Sequence, residues 1–193
     1  HTLLKTPTLY TNVNNPLFLG LQTLGPPGRN ISGVSYYVPI EKQLKIYKEI
    51  QPNLKKLGFI FDKFNKSRKV ELPESRESCR RLGLDCEIEI IKDKTELKSR
   101  VKNLIAKNVD AVVATSSGTI YTNIEEFIDV CEQAGIPIYS FNRAGVTHGA
   151  IAALASDYFL MVDNLLLPMA FRVLRDNFSP GKMPAAFLKE SKL

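Results

Sequence analysis

Asp110-Ala111-Val112-Val113-Ala114-Thr115-Ser116-Ser117-Gly118-Thr119 is the stretch that decides the fold. Behind its leading aspartate lies a short run of small and β-branched apolar residues with no polar alternation. That is the pattern of a strand buried on both faces of a parallel sheet. The hydroxyl residues and glycine that follow read as a turn at the carboxyl end of that strand. Open α/β sheets bind small molecules at this end of their strands.

Working outward, Leu57-Gly58-Phe59-Ile60-Phe61 and Pro137-Ile138-Tyr139-Ser140-Phe141 are two more strands of the buried type, while Cys86 to Ile91 alternates as a more exposed one. Helical spacing separates them. Pro39 opens a helix carrying Ile40, Leu44, Tyr47 and Ile50, and Pro52-Asn53 ends it. Residues 62–67 are turn-rich, and residues 68–82 read as a helix capped by Gly83. Thr95 starts a helix with Leu97, Val101, Leu104 and Ile105, and residues 121–134 form another that stops at Gly135. Residues 149–155 read as one more strand, Asp157 starts a helix bent by Pro168, and Ala185 to Leu188 is a short final strand. Ahead of all these, Thr8 to Val13 is a β-rich run, followed by an Asn-Pro turn, a brief apolar helix and a Pro/Gly/Asn loop reaching Gly33. The alternation predicts a Rossmann-like, doubly wound, mainly parallel α/β sheet. Too few units are present to close an eight-stranded barrel.

The 193 residues carry 26 Lys plus Arg against 20 Asp plus Glu, a formal net charge of +6. Lys42, Lys45 and Lys48 are interspersed with Glu41 and Glu49, as on a solvated helix face, so no nucleic-acid partner is expected. Cys79, Cys86 and Cys131 include no Cys-x-x-Cys pair and are read as small core residues, with no metal site and no demand for an oxidising compartment. No run is long and apolar enough to span a membrane. No signal peptide is visible, since Leu3-Leu4 is followed at once by Lys5-Thr6-Pro7, and a mature exported chain would look the same.

Several short pieces, in order and spacing, resemble the ABC-transporter substrate-binding protein family related to tryptophan/tyrosine uptake lipoproteins. They are Asn14-Asn15-Pro16 with Pro27-Gly28-Arg29-Asn30 and Ile31-Ser32-Gly33, Glu49 to Gly58, Asn108 to Val112, Gly135 to Ser140, Gly145 to Ala150 with Asp157-Tyr158, and the loop Asn177 to Lys182. Where the family has Ser-Asp-Pro this chain has Asn14-Asn15-Pro16, an amide in the place of a carboxylate. The resemblance implies a type I periplasmic-binding-protein fold of two lobes, here a fragment truncated at both ends. Residues 35–148 would be the second α/β lobe, and 1–34 with 149–193 remnants of the first. It implies capture of a small polar solute such as an amino acid between the lobes, for a membrane ABC permease. Closure would hinge near Gly33 to Tyr36 and Thr147 to Ala150. The setting would be periplasmic or extracellular, with the full-length protein anchored as a lipoprotein. The alternative is a ligand-sensing input domain of a signalling or regulatory protein. As it stands the chain is expected to bind solute weakly or not at all as a monomer, with bare sheet edges covered either by another copy, in a homodimer through residues 1–33 and 150–193, or by rearranged terminal segments.

Candidate ligand-binding residues follow the strand ends. Thr115, Ser116 and Ser117 offer hydroxyls and amides to a carboxylate, although the same residues also suit a helix-capping turn. Asn142 can bond both polar ends of a zwitterion and Phe141 or Tyr139 can offer an apolar wall, while Arg143 reads as a surface residue. Asp157 would hold an ammonium or simply cap the following helix; Asn14 and Asn15 would contact ligand or only shape a turn. No cofactor and no catalysis are expected. Ser116, His148 and Asp157 are the types of a hydrolase triad, but Ser116 lacks the Gly-x-Ser-x-Gly setting.

Overall fold

A computed structural model of the chain describes residues 8–15 and 31–156. The apolar helix expected after Pro16, the helix from Asp157, the Asn177 loop and the final strand lie outside the described residues. The chain divides into two compact units, His1–Tyr37 with Ser156–Leu193, and Val38–Ala155.

In the first unit β1 (Thr8–Val13) and β2 (Ile31–Ser35) pair in parallel. Gly33 lies so close to β1 that a Cβ there would sit 2.1 Å from the Tyr10 carbonyl oxygen. The Ser35 hydroxyl is shared between the carbonyls of Val13, 2.9 Å, and Asn14, 2.7 Å, and so fixes the carboxyl end of β1.

The second unit alternates strand and helix. Its elements are α1 (Ile40–Ile50), β3 (Lys56–Asp62), α2 (Arg68–Leu82), β4 (Asp85–Ile91), α3 (Leu97–Ala106), β5 (Ala111–Ala114), α4 (Gly118–Tyr121), α5 (Ile124–Gln133), β6 (Ile138–Ser140), α6 (Arg143–Thr147) and β7 (Ala152–Ala153). All five strands from β3 to β7 are parallel, in the order β4-β3-β5-β6-β7. The mainly parallel α/β sheet expected from the alternation is present. As its all-apolar sequence predicts, β5 is buried at every residue between β3 and β6.

Each strand feeds two apolar layers, because alternate residues face opposite sides. Leu57, Phe59, Phe61, Ala111, Val113 and Tyr139 pack beneath α1 and α2. On the other face Ile60, Val112, Ala114 and Ile138 meet α3 and α5. Tyr47 of α1 stacks on Tyr139 of β6 with ring centroids 4.2 Å apart, and its buried hydroxyl donates to the Ser140 carbonyl at 2.9 Å. The phenol thus meets a partner where an unpaired one would be costly. Asp110, ahead of β5, accepts the backbone amides of Lys55 and Lys56 at 2.8 and 2.7 Å, and so aligns the starts of β5 and β3.

Gly83 does cap α2, in the left-handed conformation with φ 64° that glycine adopts without a Cβ penalty. The sharp return brings the end of α2 against β4. Here the structure corrects the reading of the cysteines: Cys79 and Cys86 form a disulfide across this turn, with Cα atoms 6.3 Å apart, while Cys131 is free and buried. On the opposite face of β4, Glu87 and Glu89 form ion pairs with Lys56, Arg100 and Lys107 at 3.0 to 3.3 Å.

Two other expectations are modified. The helix read over 121–134 starts only at Ile124, as α5, and a separate short α4 ends at Tyr121 before it. Thr122 donates its hydroxyl to the Gly118 carbonyl and Asn123 its amide to the Thr119 carbonyl, the local competition by which such side chains interrupt a helix. The strand read over 149–155 shortens to Ala152–Ala153, because its first residues are taken up by the turn that ends α6. The turn after α6 holds the Gly149 amide on Val146 and the Ala150 amide on Gly145. Among the described residues no helix is long and apolar enough to cross a membrane.

Candidate functional site

In this strand order the chain leaves β3 for one neighbour, β4, and later returns on its other side as β5. The helices that follow β3 and β5 consequently cover opposite faces: α2 belongs to the Phe59 layer and α5 to the Val112 layer. Such a reversal, at the carboxyl ends of β3 and β5, is where α/β proteins bind ligands.

Asp62, the last residue of β3, organises this place. One carboxylate oxygen accepts the hydroxyls of Thr119 at 2.7 Å and Ser117 at 3.1 Å; the other accepts the Phe64 amide at 2.8 Å. Burial alone would raise the Asp62 pKa, but the donors Thr119, Phe64 amide and Ser117 outweigh it and hold the carboxyl below its ordinary value. A second link crosses the same gap. Asn65 donates its side-chain amide to the Ser116 carbonyl at 2.5 Å, and buried Glu71 of α2 accepts the Ser116 amide at 3.3 Å. The loop after β3 and the loop after β5 are therefore bound to each other through side chains.

The end of β6 joins this cluster through Tyr121 of α4. Its hydroxyl lies 3.1 Å from the Ala114 carbonyl and 2.9 Å from the Ser140 hydroxyl, and burial raises its pKa. Ser140 in turn donates to the Asn142 carbonyl at 2.7 Å and accepts the Asn142 amide at 3.1 Å. Gly145 of α6 packs directly on Ser140: a Cβ there would come within 2.3 Å of the serine oxygen.

The residues singled out in the sequence take distinct places here. Thr115 is buried and donates its hydroxyl to the Ile60 carbonyl at 2.6 Å, joining β5 to β3. Ser117 is buried as the cap of α4, and its own amide donates to the Thr115 carbonyl. Ser116 between them is only half-buried, with amide and carbonyl both engaged as described. Phe141 packs on Phe59 in the core, and Asn142 caps α6 by accepting the Ala144 amide at 2.9 Å while staying half-buried. The second unit thus brings Thr115, Ser116, Ser117, Phe141 and Asn142 to neighbouring strand ends. Asn14 and Asn15 stand at the carboxyl end of β1 in the first unit, and Asp157 lies outside the described residues. His148 pairs with Glu125 at 3.7 Å on the surface. Sequence reading placed Thr119 in the strand-end turn but missed Asp62, Asn65, Glu71, Tyr121 and Ser140. The only local signal was that Asp62 ends a strand of the buried type.

Hydroxyls, amides and a carboxylate held in place at a sheet's carboxyl edge suit recognition of a small polar molecule. Residues 2–193 match the model of a family described as ABC transporter substrate binding protein. The chain belongs to that family. A tyrosine-binding protein of Clostridioides difficile (strain R20291) is 26% identical over 188 residues, covering 97% of this chain and 54% of its own length. Among solved structures, a conserved domain protein from Vibrio cholerae is 27% identical with a TM-score of 0.74, over 95% of this chain and 60% of that one. The ligand-free, open form of a substrate-binding protein with adhesive properties from Clostridium difficile superposes with a TM-score of 0.78 at 25% identity, over 93% and 60%. A Streptococcus pneumonia ABC domain in complex with L-Trp has a TM-score of 0.72 at 25% identity, over 94% and 59%. The chain therefore spans a little over half the length of the substrate-binding proteins it matches. Its parallel sheet agrees with one lobe of the type I periplasmic-binding-protein fold.

Proposed function

We propose that this substrate-binding protein is the solute-capturing component of an ABC importer, taking a small polar molecule such as an amino acid. Family membership over residues 2–193 is the observation that carries the reading, and it favours binding over catalysis. The relatives' ligands, tyrosine and L-Trp, argue for an amino acid. The strand-end cluster around Asp62 supplies a pre-ordered polar wall of the kind such a ligand needs.

In this reading Ser116 and Asn142, half-buried at neighbouring strand ends, meet the solute directly, while Thr115, Ser117 and Phe141 hold them in place. Asn14, Asn15 and Asp157 contribute from the other lobe of a two-lobe protein, whose second lobe is residues 35–148. The partner is a membrane ABC permease and the setting periplasmic or extracellular, with lipoprotein anchoring in the full-length protein. The Cys79–Cys86 disulfide favours such an oxidising compartment.

Isothermal titration calorimetry on the full-length protein with each of the twenty amino acids tests the reading. Micromolar or tighter binding of at least one, weakened by Asn142→Ala, is the expected result. Absence of binding across the panel removes the amino-acid assignment.

A further inference from the structure

Phe64 is the most exposed of the large hydrophobic residues described, at 73%. A single exposed apolar side chain is ordinary on a protein surface; the placement of this one is not. It stands two residues beyond the end of β3, at the edge where the strand order reverses. Its amide is held by the same Asp62 carboxylate that binds Ser117 and Thr119, at 2.8 Å. The next residue, Asn65, ties the loop to Ser116. Its backbone is thus fixed on the sheet edge while its ring is left to solvent. Lys63 lies over the ring, its ammonium 5.6 Å from the centroid, and neither Lys63 nor Lys66 has an ion pair among the described residues. The carboxylates nearby are engaged: Asp62 by its donors and Glu71 by the Ser116 amide. The carboxyl edge of the sheet therefore offers an exposed ring, with the Lys63 ammonium over one face and Lys66 close by in sequence.

We infer that Phe64 is a specificity-determining residue of the solute site, its ring covering the aromatic side chain of an amino-acid ligand. This rests on the proposed function, and it adds a residue that neither the strand-end motifs nor the relatives' descriptions assign. A backbone held in place removes loop ordering from the cost of binding, leaving only the ring's own rotamers to be fixed. Stacked aromatic pairs prefer centroids a few ångströms apart and strengthen binding beyond the area they bury.

The test uses the full-length protein and calorimetry with L-tyrosine, L-tryptophan, L-phenylalanine and L-leucine, on wild type, Phe64→Ala and Phe64→Tyr. Wild type is expected to prefer an aromatic amino acid. Phe64→Ala should weaken that ligand roughly tenfold while changing leucine by less than about threefold. Phe64→Tyr should restore the preference, and melting temperatures should match because the ring is exposed. Wild-type binding left within twofold by Phe64→Ala would overturn the role of Phe64 and leave the importer reading standing, with the ring free to serve another contact. Binding of leucine in preference to all three aromatic ligands would likewise overturn it. Failure of wild type to bind any of the four would overturn the role of Phe64, and the importer reading is then judged by the full amino-acid panel.

Discussion

Replacing Asp62 with alanine removes one acceptor from three donors at once: the Phe64 amide, the Ser117 hydroxyl and the Thr119 hydroxyl. A hydrogen bond to a charged group contributes about 1.5–3 kcal/mol. Thr119 and the Phe64 amide can turn to water once released, whereas Ser117 is 2% exposed and cannot. The net loss is therefore about 3 kcal/mol, nearer to one fully buried bond plus parts of two others. Asp62→Asn keeps one carbonyl acceptor for the amide, and its NH2 can face hydroxyls that rotate to accept. It should cost only about 1 kcal/mol. Urea unfolding at pH 7, followed by circular dichroism, measures both. Because the folded-state pKa of Asp62 is lowered, its stabilisation is complete above the unfolded value of about 4 and is lost as pH falls through the folded one. Wild type should lose stability on acidification through this window more than Asp62→Asn does. An alanine variant within about 0.5 kcal/mol of wild type, or an asparagine variant as damaged as alanine, would refute the role given to the carboxylate.

Three further perturbations probe the frame around the cluster. Replacing both Cys79 and Cys86 with serine opens a loop with a sequence separation of 7, which loop-closure entropy values at about 2 kcal/mol; an unchanged urea midpoint would contradict it. Gly145→Ala drives a methyl into Ser140, disturbs that serine's bonds to Tyr121 and Asn142, and should cost about 2 kcal/mol with weakened solute binding in the full-length protein. Thermal melting with calorimetry would detect both effects, and a neutral result would mean that α6 yields. Gly83→Ala must place a Cβ at φ 64° and should cost about 1 kcal/mol by the same melting assay, although open space surrounds the position.

The elements most legible in the sequence were those with strong local signals. Val112 and Val113 declared a strand buried on both sides, and Gly83 and Pro39 marked helix ends through backbone conformation alone. The site was legible only as positions. That loops after β5 and β6 gather at one edge follows from parallel topology, but which side chains face inward depends on partners distant in sequence. Asp62 reaches Thr119 and Ser117 across more than fifty residues, and nothing local distinguishes it from an ordinary turn aspartate. Glu71 lies in the helix predicted over 68–82, and nothing local signals that packing brings it to the Ser116 amide. The disulfide escaped because residues 79 and 86 become neighbours only once the left-handed turn at Gly83 folds the helix back on the strand.

That turn has a consequence for how the sheet's outermost strand finds its place. Cys86, Ile88 and Ile90 point toward the α2 side, and Glu87 and Glu89 toward Arg100 of α3 and Lys107 just beyond its end. A slip of β4 by a single residue along β3 would exchange the two faces. It would press carboxylates into the Phe59 layer, leave isoleucines among the basic groups and carry Cys86 away from Cys79. Covalent bond and ion pairs thus accept the same alignment, like two keys cut for one lock. The charged side chains of the pairing also make this edge a poor template for a stray strand of another molecule.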